Sequence, residues 1–124
     1  MSYSKLSQSH ISYFINILGN ENVIYDHDIS KYSSDHTEDL VFPPEIVLFP
    51  GTTNQVSEIV GYCNENFIPI TPSAALTGLS GGALPIFRGV SLSTKKMNKL
   101  IEINTKNFQA TVEPGLINED FQNE

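Results

Sequence analysis

The sequence predicts an α+β domain: a small mixed sheet with flanking helices packed on one side. Three observations predict it. Residues 46–70 read as strand, capped helix and strand, a βαβ unit whose strands run parallel and connect right-handedly. Residues 100–112 read as two short strands around a polar turn. Before both comes an amphipathic helix over residues 5–18. At 124 residues the chain has room for one domain, which can bury a core without disulfides or metal staples.

Each element has its own warrant. Leu6, Ile11, Phe14, Ile15 and Leu18 fall near helical spacing, and Gly19-Asn20 stops the helix. Residues 20–45 scatter Tyr25, Asp26, Asp28, Tyr32, Asp35, Glu38 and Asp39 without a period. They read as an irregular acidic surface segment closed by Pro43-Pro44. Ile46-Val47-Leu48-Phe49 is a buried strand ended by Pro50-Gly51. Thr52 and Gln55 have capping-box spacing. Val56, Ile59, Val60 and Cys63 then line one face of a helix over 53–65. Phe67-Ile68-Pro69-Ile70 returns as a strand, and residues 71–85 form a long loop. Val90-Ser91-Leu92-Ser93 alternates like a half-buried strand. Residues 100–103 and 109–112 pair around the turn at 104–107, Pro114-Gly115 breaks that pattern, and a last helix opens over 116–124. Because that helix begins where the sequence stops, the chain reads as a truncated single domain. Residues 1–45 are its N-terminal helix and acidic segment; residues 46–124 hold the βαβ unit and the loop.

Composition excludes several classes. The chain is 40% apolar and 17% charged, with net charge −7, ordinary for a globular protein and repulsive to nucleic acid and anionic lipid. Residues 1–65 hold nine acids and two bases, whereas residues 66–124 hold five of each. An anionic ligand therefore belongs in the second half. The single cysteine, Cys63, leaves no internal disulfide. No secretory signal opens the chain, and no run of 18 apolar residues spans a membrane. A soluble cytoplasmic domain is the expectation.

The loop at 71–85 and its surroundings hold the chemistry. Four of the eight glycines lie between positions 78 and 89. Small residues between strands expose consecutive backbone N–H groups, a nest suited to a phosphate or diphosphate, and Thr77 and Ser80 add hydroxyls. The other reading is a tight surface connection. The loop is neither G-x-G-x-x-G nor a Walker A sequence. Elsewhere the signals are weaker. His10, His27 and His36 share no metal spacing. Cys63 reads as core, and Gly78-Leu79-Ser80-Gly81-Gly82 is not a nucleophile elbow. Asp26, Asp28 and Asp35 lack the EF-hand pattern. Lys95, Lys96 and Lys99 form the one basic cluster, either a solvated turn or a contact to the adenosine end of a cofactor.

Residues 72–85, ProSerAlaAlaLeuThrGlyLeuSerGlyGlyAlaLeuPro, resemble the diphosphate loop of FAD-linked oxidases of the vanillyl-alcohol oxidase type. Within that type the resemblance is to the FAD subunit of glycolate oxidase and to D-lactate dehydrogenases. It runs from about Asp35 to Phe121. It takes in Pro-Pro-Glu-Ile-Val-Leu-Phe-Pro at 43–50, Val-Ser-Glu-Ile at 56–59, Cys63-Asn64-Glu65, Met97-Asn98 and Val112-Glu113-Pro114-Gly115. The resemblance implies the N-terminal part of an FAD-binding domain. Members pass a hydride from a 2-hydroxy acid to the flavin and reoxidise it through a partner or quinone. Ser73, Ala74, Ala75, Leu76, Thr77, Gly78, Leu79, Ser80 and Gly81 would then lie along the diphosphate, and Gly115 would let the main chain pass close to the cofactor. The implied partners are FAD and a missing C-terminal half or other subunits of an oxidase. An exposed face where that half docks predicts self-association.

The loop departs from the family pattern Pro-Arg-Gly-x-Gly-Thr. Ser73 stands for the cation, and Ala74 and Leu76 stand for glycines. A non-glycine residue at positive φ costs about 1–2 kcal/mol. With a lost cation, such defects reduce affinity by a few powers of ten at about 1.4 kcal/mol per tenfold. The family's substrate domain has no counterpart in these residues. The expectation is a chain that binds FAD weakly or not at all and has no turnover, either as part of an oxidoreductase or as a non-catalytic remnant serving folding or interaction.

Overall fold

A computed structural model describes residues 2–26, 28–37 and 39–124; His27 and Glu38, named above, lie outside them. The first helix, α1 (Gln8–Leu18), starts three residues later than its apolar pattern because Ser7 caps it. The Ser7 hydroxyl accepts from the His10 amide at 3.5 Å, and the Ser7 amide donates to His10 Nδ1 at 3.2 Å. After a 3-10 turn at Asn20–Asn22 comes β1 (Val23–Ile24), and a second 3-10 turn spans Ile29–Tyr32. The acidic segment is thus less irregular than its composition suggests. Two residues are too few to show a strand period.

Next follow β2 (Ile46–Leu48), α2 (Thr53–Glu65), β3 (Ile70–Ser73) and β4 (Val90–Ser93). The hairpin β5 (Leu100–Asn104) with β6 (Gln109–Val112) and the short α3 (Asn118–Gln122) complete the chain. Thr52 caps α2 by accepting from the Gln55 amide at 3.2 Å, as its spacing predicts. The returning Gln55 side chain instead accepts from Gly51, at 2.8 Å.

The main sheet has the order β1-β2-β4-β3. β1 runs antiparallel to β2, while β2 and β3 each pair in parallel with β4. The two strands of the βαβ unit are parallel, as expected, with β4 between them. Two expectations are corrected. The strand placed at 67–70 begins at Ile70 and runs into the loop, because Phe67 sits at φ 55 to terminate α2. β4 is buried along its whole length rather than half-buried, as a strand flanked by two parallel neighbours is.

Ile46, Leu48, Val90 and Leu92 on one face pack against Phe14 and Leu18 of α1 and Ile59 and Cys63 of α2. Tyr62 of α2 stacks on Tyr13 of α1 at 3.6 Å between ring centroids and meets Phe14 edge-on at 5.6 Å. Small polar side chains, Ser73, Ser91 and Ser93, are also buried within the sheet. The hairpin forms a separate two-stranded sheet. Among the described residues, no helix is long and apolar enough to cross a membrane.

Candidate functional site

A cavity of about 400 Å³ opens beside the carboxyl ends of β3 and β4. Such a position, past the ends of parallel strands, is where open α/β sheets place ligands. Its wall joins Ala74, Ala75 and Leu76 of the loop to Ser93 and Lys95 at the end of β4. Lys31 and Tyr32 enter from the Ile29–Tyr32 turn, and Gly115 and Ile117 from the segment after β6.

Four of the ten predicted site residues therefore line one cavity: Ala74, Ala75, Leu76 and Gly115. Ser73 does not. Its side chain is buried at the end of β3, with its hydroxyl 3.4 Å from that of Ser91. Its carbonyl accepts from the Thr94 amide at 2.9 Å and from the Thr94 hydroxyl at 3.3 Å. Thr77, Gly78, Leu79, Ser80 and Gly81 make the outer turn of the loop, beyond the cavity wall. That turn is tied to the acidic segment: the Gly78 carbonyl accepts from the His36 amide at 3.0 Å, and the Gly81 amide donates to the Thr37 hydroxyl at 2.8 Å. Asp35 supports the strap by accepting from the Thr37 amide at 2.7 Å. The Thr37 side chain, and after it the Thr37 amide, holds the Asp35 carboxyl below its usual range.

Backbone conformation explains two more positions. Leu76 has φ 58, the left-handed region that favours glycine; Ala74 does not. Of the two glycine replacements, only Leu76 carries backbone strain. Gly115 is required by its neighbours, since a Cβ there would overlap the carbonyl oxygens of Thr94 and Met97. Its amide donates to the Met97 carbonyl at 2.7 Å, which docks the segment after β6 against the end of β4. Among the described residues, the amides of residues 74–80 donate to no protein acceptor. Those of Ala74, Ala75 and Leu76 lie at the cavity wall with two lysines, an arrangement that suits an anion. Sequence reasoning missed Lys31, Tyr32, Ser93 and Ile117, and no periodicity or motif marks them. Lys95 belonged to the basic cluster it singled out. No three metal-ligating side chains gather among the described residues.

The chain matches the model of the FAD binding domain family over residues 44–124. It is 33% identical over 121 residues to a probable mitochondrial D-2-hydroxyglutarate dehydrogenase of Oryza sativa subsp. indica, covering 97% of this chain and 22% of that protein. It is 39% identical over 90 residues to glycolate oxidase subunit GlcD of Bacillus subtilis, covering 73% of this chain and 19% of the other. The chain thus spans about a fifth of the length of these curated relatives. A crystal structure of p-cresol methylhydroxylase with substrate bound superposes with TM-score 0.79 at 27% identity, over 95% of this chain and 25% of that one. FAD is the cofactor that the family match and the relatives support. This chain belongs to the FAD binding domain family of flavin-dependent oxidoreductases.

Proposed function

We propose that this chain is the FAD-binding portion of an oxidoreductase acting on a 2-hydroxy acid of the glycolate or D-lactate type. On its own it turns over no substrate. The observation that carries the reading is the cavity at the ends of β3 and β4, where the amides of Ala74, Ala75 and Leu76, unpaired among the described residues, and two lysines share one wall. These residues fit a diphosphate in both charge and donor chemistry. The substrate class follows the relatives: glycolate and D-2-hydroxyglutarate, in their names, both carry a hydroxyl beside a carboxylate.

Hydride acceptance from the hydroxyl-bearing carbon is the chemistry a flavin supplies when bound. The work of this chain is to hold and orient. The amides of Ala74, Ala75 and Leu76 would hold diphosphate oxygens at the cavity wall, with the exposed Thr77 and Ser80 hydroxyls on the outer turn beyond it, and Gly115 lets the segment after β6 close against the end of β4. Leu76 opposes this, being strained and part of the wall. The remainder of an oxidase, as a C-terminal half or another subunit, brings the substrate site. The exposed apolar face of the hairpin supports self-association of the isolated chain.

A second reading is favoured by the same Leu76 and by the buried Ser73: a remnant with a degenerate flavin loop that serves folding or interaction. One experiment separates the two. The purified chain is inspected for flavin absorbance, titrated with FAD by fluorescence quenching, and assayed with glycolate and D-lactate using an artificial electron acceptor. No copurified flavin, affinity weaker than micromolar and no turnover are expected. The double variant Ala74→Gly with Leu76→Gly binds FAD more tightly, by about tenfold, as the Leu76 side chain is removed from the cavity wall. Micromolar binding by the unaltered chain overturns the weak-binding claim. A glycine variant that gains nothing turns the balance to the remnant. Position 73 is left alone because an arginine there would displace the buried hydroxyl pair of Ser73 and Ser91.

A further inference from the structure

Among the described residues, the wall of the cavity contains two charged residues, Lys31 and Lys95, and no carboxylate. That is notable for a chain of net charge −7 whose first 65 residues hold nine acids. Lys31 lies in this acidic half and outside residues 44–124, the stretch matched by the family. The fold carries it across to the loop side of the sheet.

Both lysines leave from constrained backbone. Lys95 follows β4 in a turn where the Thr94 amide donates to Ser73 at 2.9 Å and the Met97 amide to Thr94 at 2.8 Å. Lys31 sits in the Ile29–Tyr32 turn, closed by the Ser33 amide donating to the Ser30 carbonyl at 3.1 Å. Its ammonium lies 5.3 Å from the centroid of the Tyr32 ring, within cation–π range. Tyr32 is braced in turn against Phe49, with ring centroids 5.8 Å apart and planes at 69°. Phe49 is itself buried directly after β2. A chain of packing therefore runs from the core through Tyr32 to the Lys31 ammonium.

We propose that Lys31 and Lys95 form a two-cation clamp on the diphosphate of the bound nucleotide. Tyr32 is the positioning residue for Lys31. The proposal rests on the reading of this cavity as the FAD site. It gives that site a source of charge that the loop, with Ser73 buried, does not provide. A dinucleotide diphosphate carries two negative charges, which two ammonium groups balance. The free amides of Ala74, Ala75 and Leu76 then supply hydrogen bonds, and the lysines supply the long-range attraction that a net-negative protein otherwise lacks.

The test uses the full chain with Lys31→Met, Lys95→Met, Tyr32→Leu and Tyr32→Phe. Both lysines are exposed, so their replacement leaves the core intact, and circular dichroism melting checks this. FAD and ADP are titrated to millimolar concentration by amide chemical-shift perturbation, at about 20 mM and about 0.5 M salt, where the screening length falls severalfold. At low salt each lysine variant weakens both ligands by roughly twofold to fivefold, as expected for loss of one screened charge pair. High salt narrows that difference. Tyr32→Leu behaves like Lys31→Met, and Tyr32→Phe retains the wild-type affinity. If FAD binds and the lysine variants match the wild type, the clamp is wrong while the FAD reading stands. A loss equal at both salt concentrations is not ionic and also overturns the clamp. An unaltered chain that binds neither ligand at millimolar concentration overturns both. Wild-type affinity in Tyr32→Leu removes Tyr32 from the proposal.

Discussion

Cys63 sits on the sheet-facing side of α2 at 1% exposure, and burial pushes its thiol up to about 11 from an ordinary value of 9.0. The folded chain keeps it protonated, so it is a poor nucleophile at neutral pH. Iodoacetamide at pH 8 is expected to leave the native protein unmodified and to label it after urea unfolding, as read by mass spectrometry. Fast labelling of folded protein would contradict this burial. The sign for stability follows from the same shift. The contribution is full below pH 9, and it is lost as pH rises toward 11, because the unfolded thiol ionises first. Cys63 was legible in sequence because helical spacing names its neighbours. Ser73 was not, since the side on which the last residue of a strand points depends on where the strand begins. The strand began three residues later than its apolar run suggested. Leu76 was legible as a misplaced side chain from the family pattern, whereas Gly115 has a packing role against Thr94 and Met97 that no motif describes.

At the level of elements, α1 is held mainly by Phe14, which is fully buried and meets Tyr13 and Tyr62 edge-on. Phe14→Ala is expected to cost about 3–5 kcal/mol in urea unfolding, the range for deleting a buried aromatic ring. A loss below about 1 kcal/mol would show that α1 is not part of the cooperative core. Both long helices were readable from amphipathic spacing, and α2 also from its Thr52 cap, whereas α1 starts three residues into its apolar pattern, after the Ser7 cap. The strand order was not readable. A strand, a helix and a strand in sequence suggest neighbours, yet the strand between them comes from residues 90–93, beyond the long loop. Nothing local in Val90-Ser91-Leu92-Ser93 distinguishes a central strand from an edge. The Ile29–Tyr32 turn was invisible for another reason. Its importance lies in what it reaches, not in any pattern of its own.

Across the whole molecule, apolar surface is unevenly placed. The main sheet and its helices enclose the core, while the hairpin and α3 leave a groove of about 660 Å³ lined by Ile103, Phe108, Ala110, Val112, Leu116 and Phe121. Phe108 is 96% exposed. An apolar surface of this kind drives association, and the self-association proposed above would use it. Sedimentation velocity is expected to show a concentration-dependent increase in mean mass, which Phe108→Ser lowers. A monomer at every concentration would remove the proposal. The uneven charge was visible at once in sequence, but its consequence was not, because the acidic half also supplies Lys31 to the cavity.

The position of β4 also sets a timetable. β2 and β3 are synthesised before it, and each makes its parallel pairing with β4. A ribosome that has released only the first 89 residues has therefore released two strands without the one that joins them. α1 and α2 then have only a partial surface to cover, since Val90 and Leu92 belong to the same cluster as Phe14 and Ile59. Folding must wait for the far side of the loop. The segment that closes the sheet also brings Ser93 and Lys95, so the core and the cavity wall come into being together.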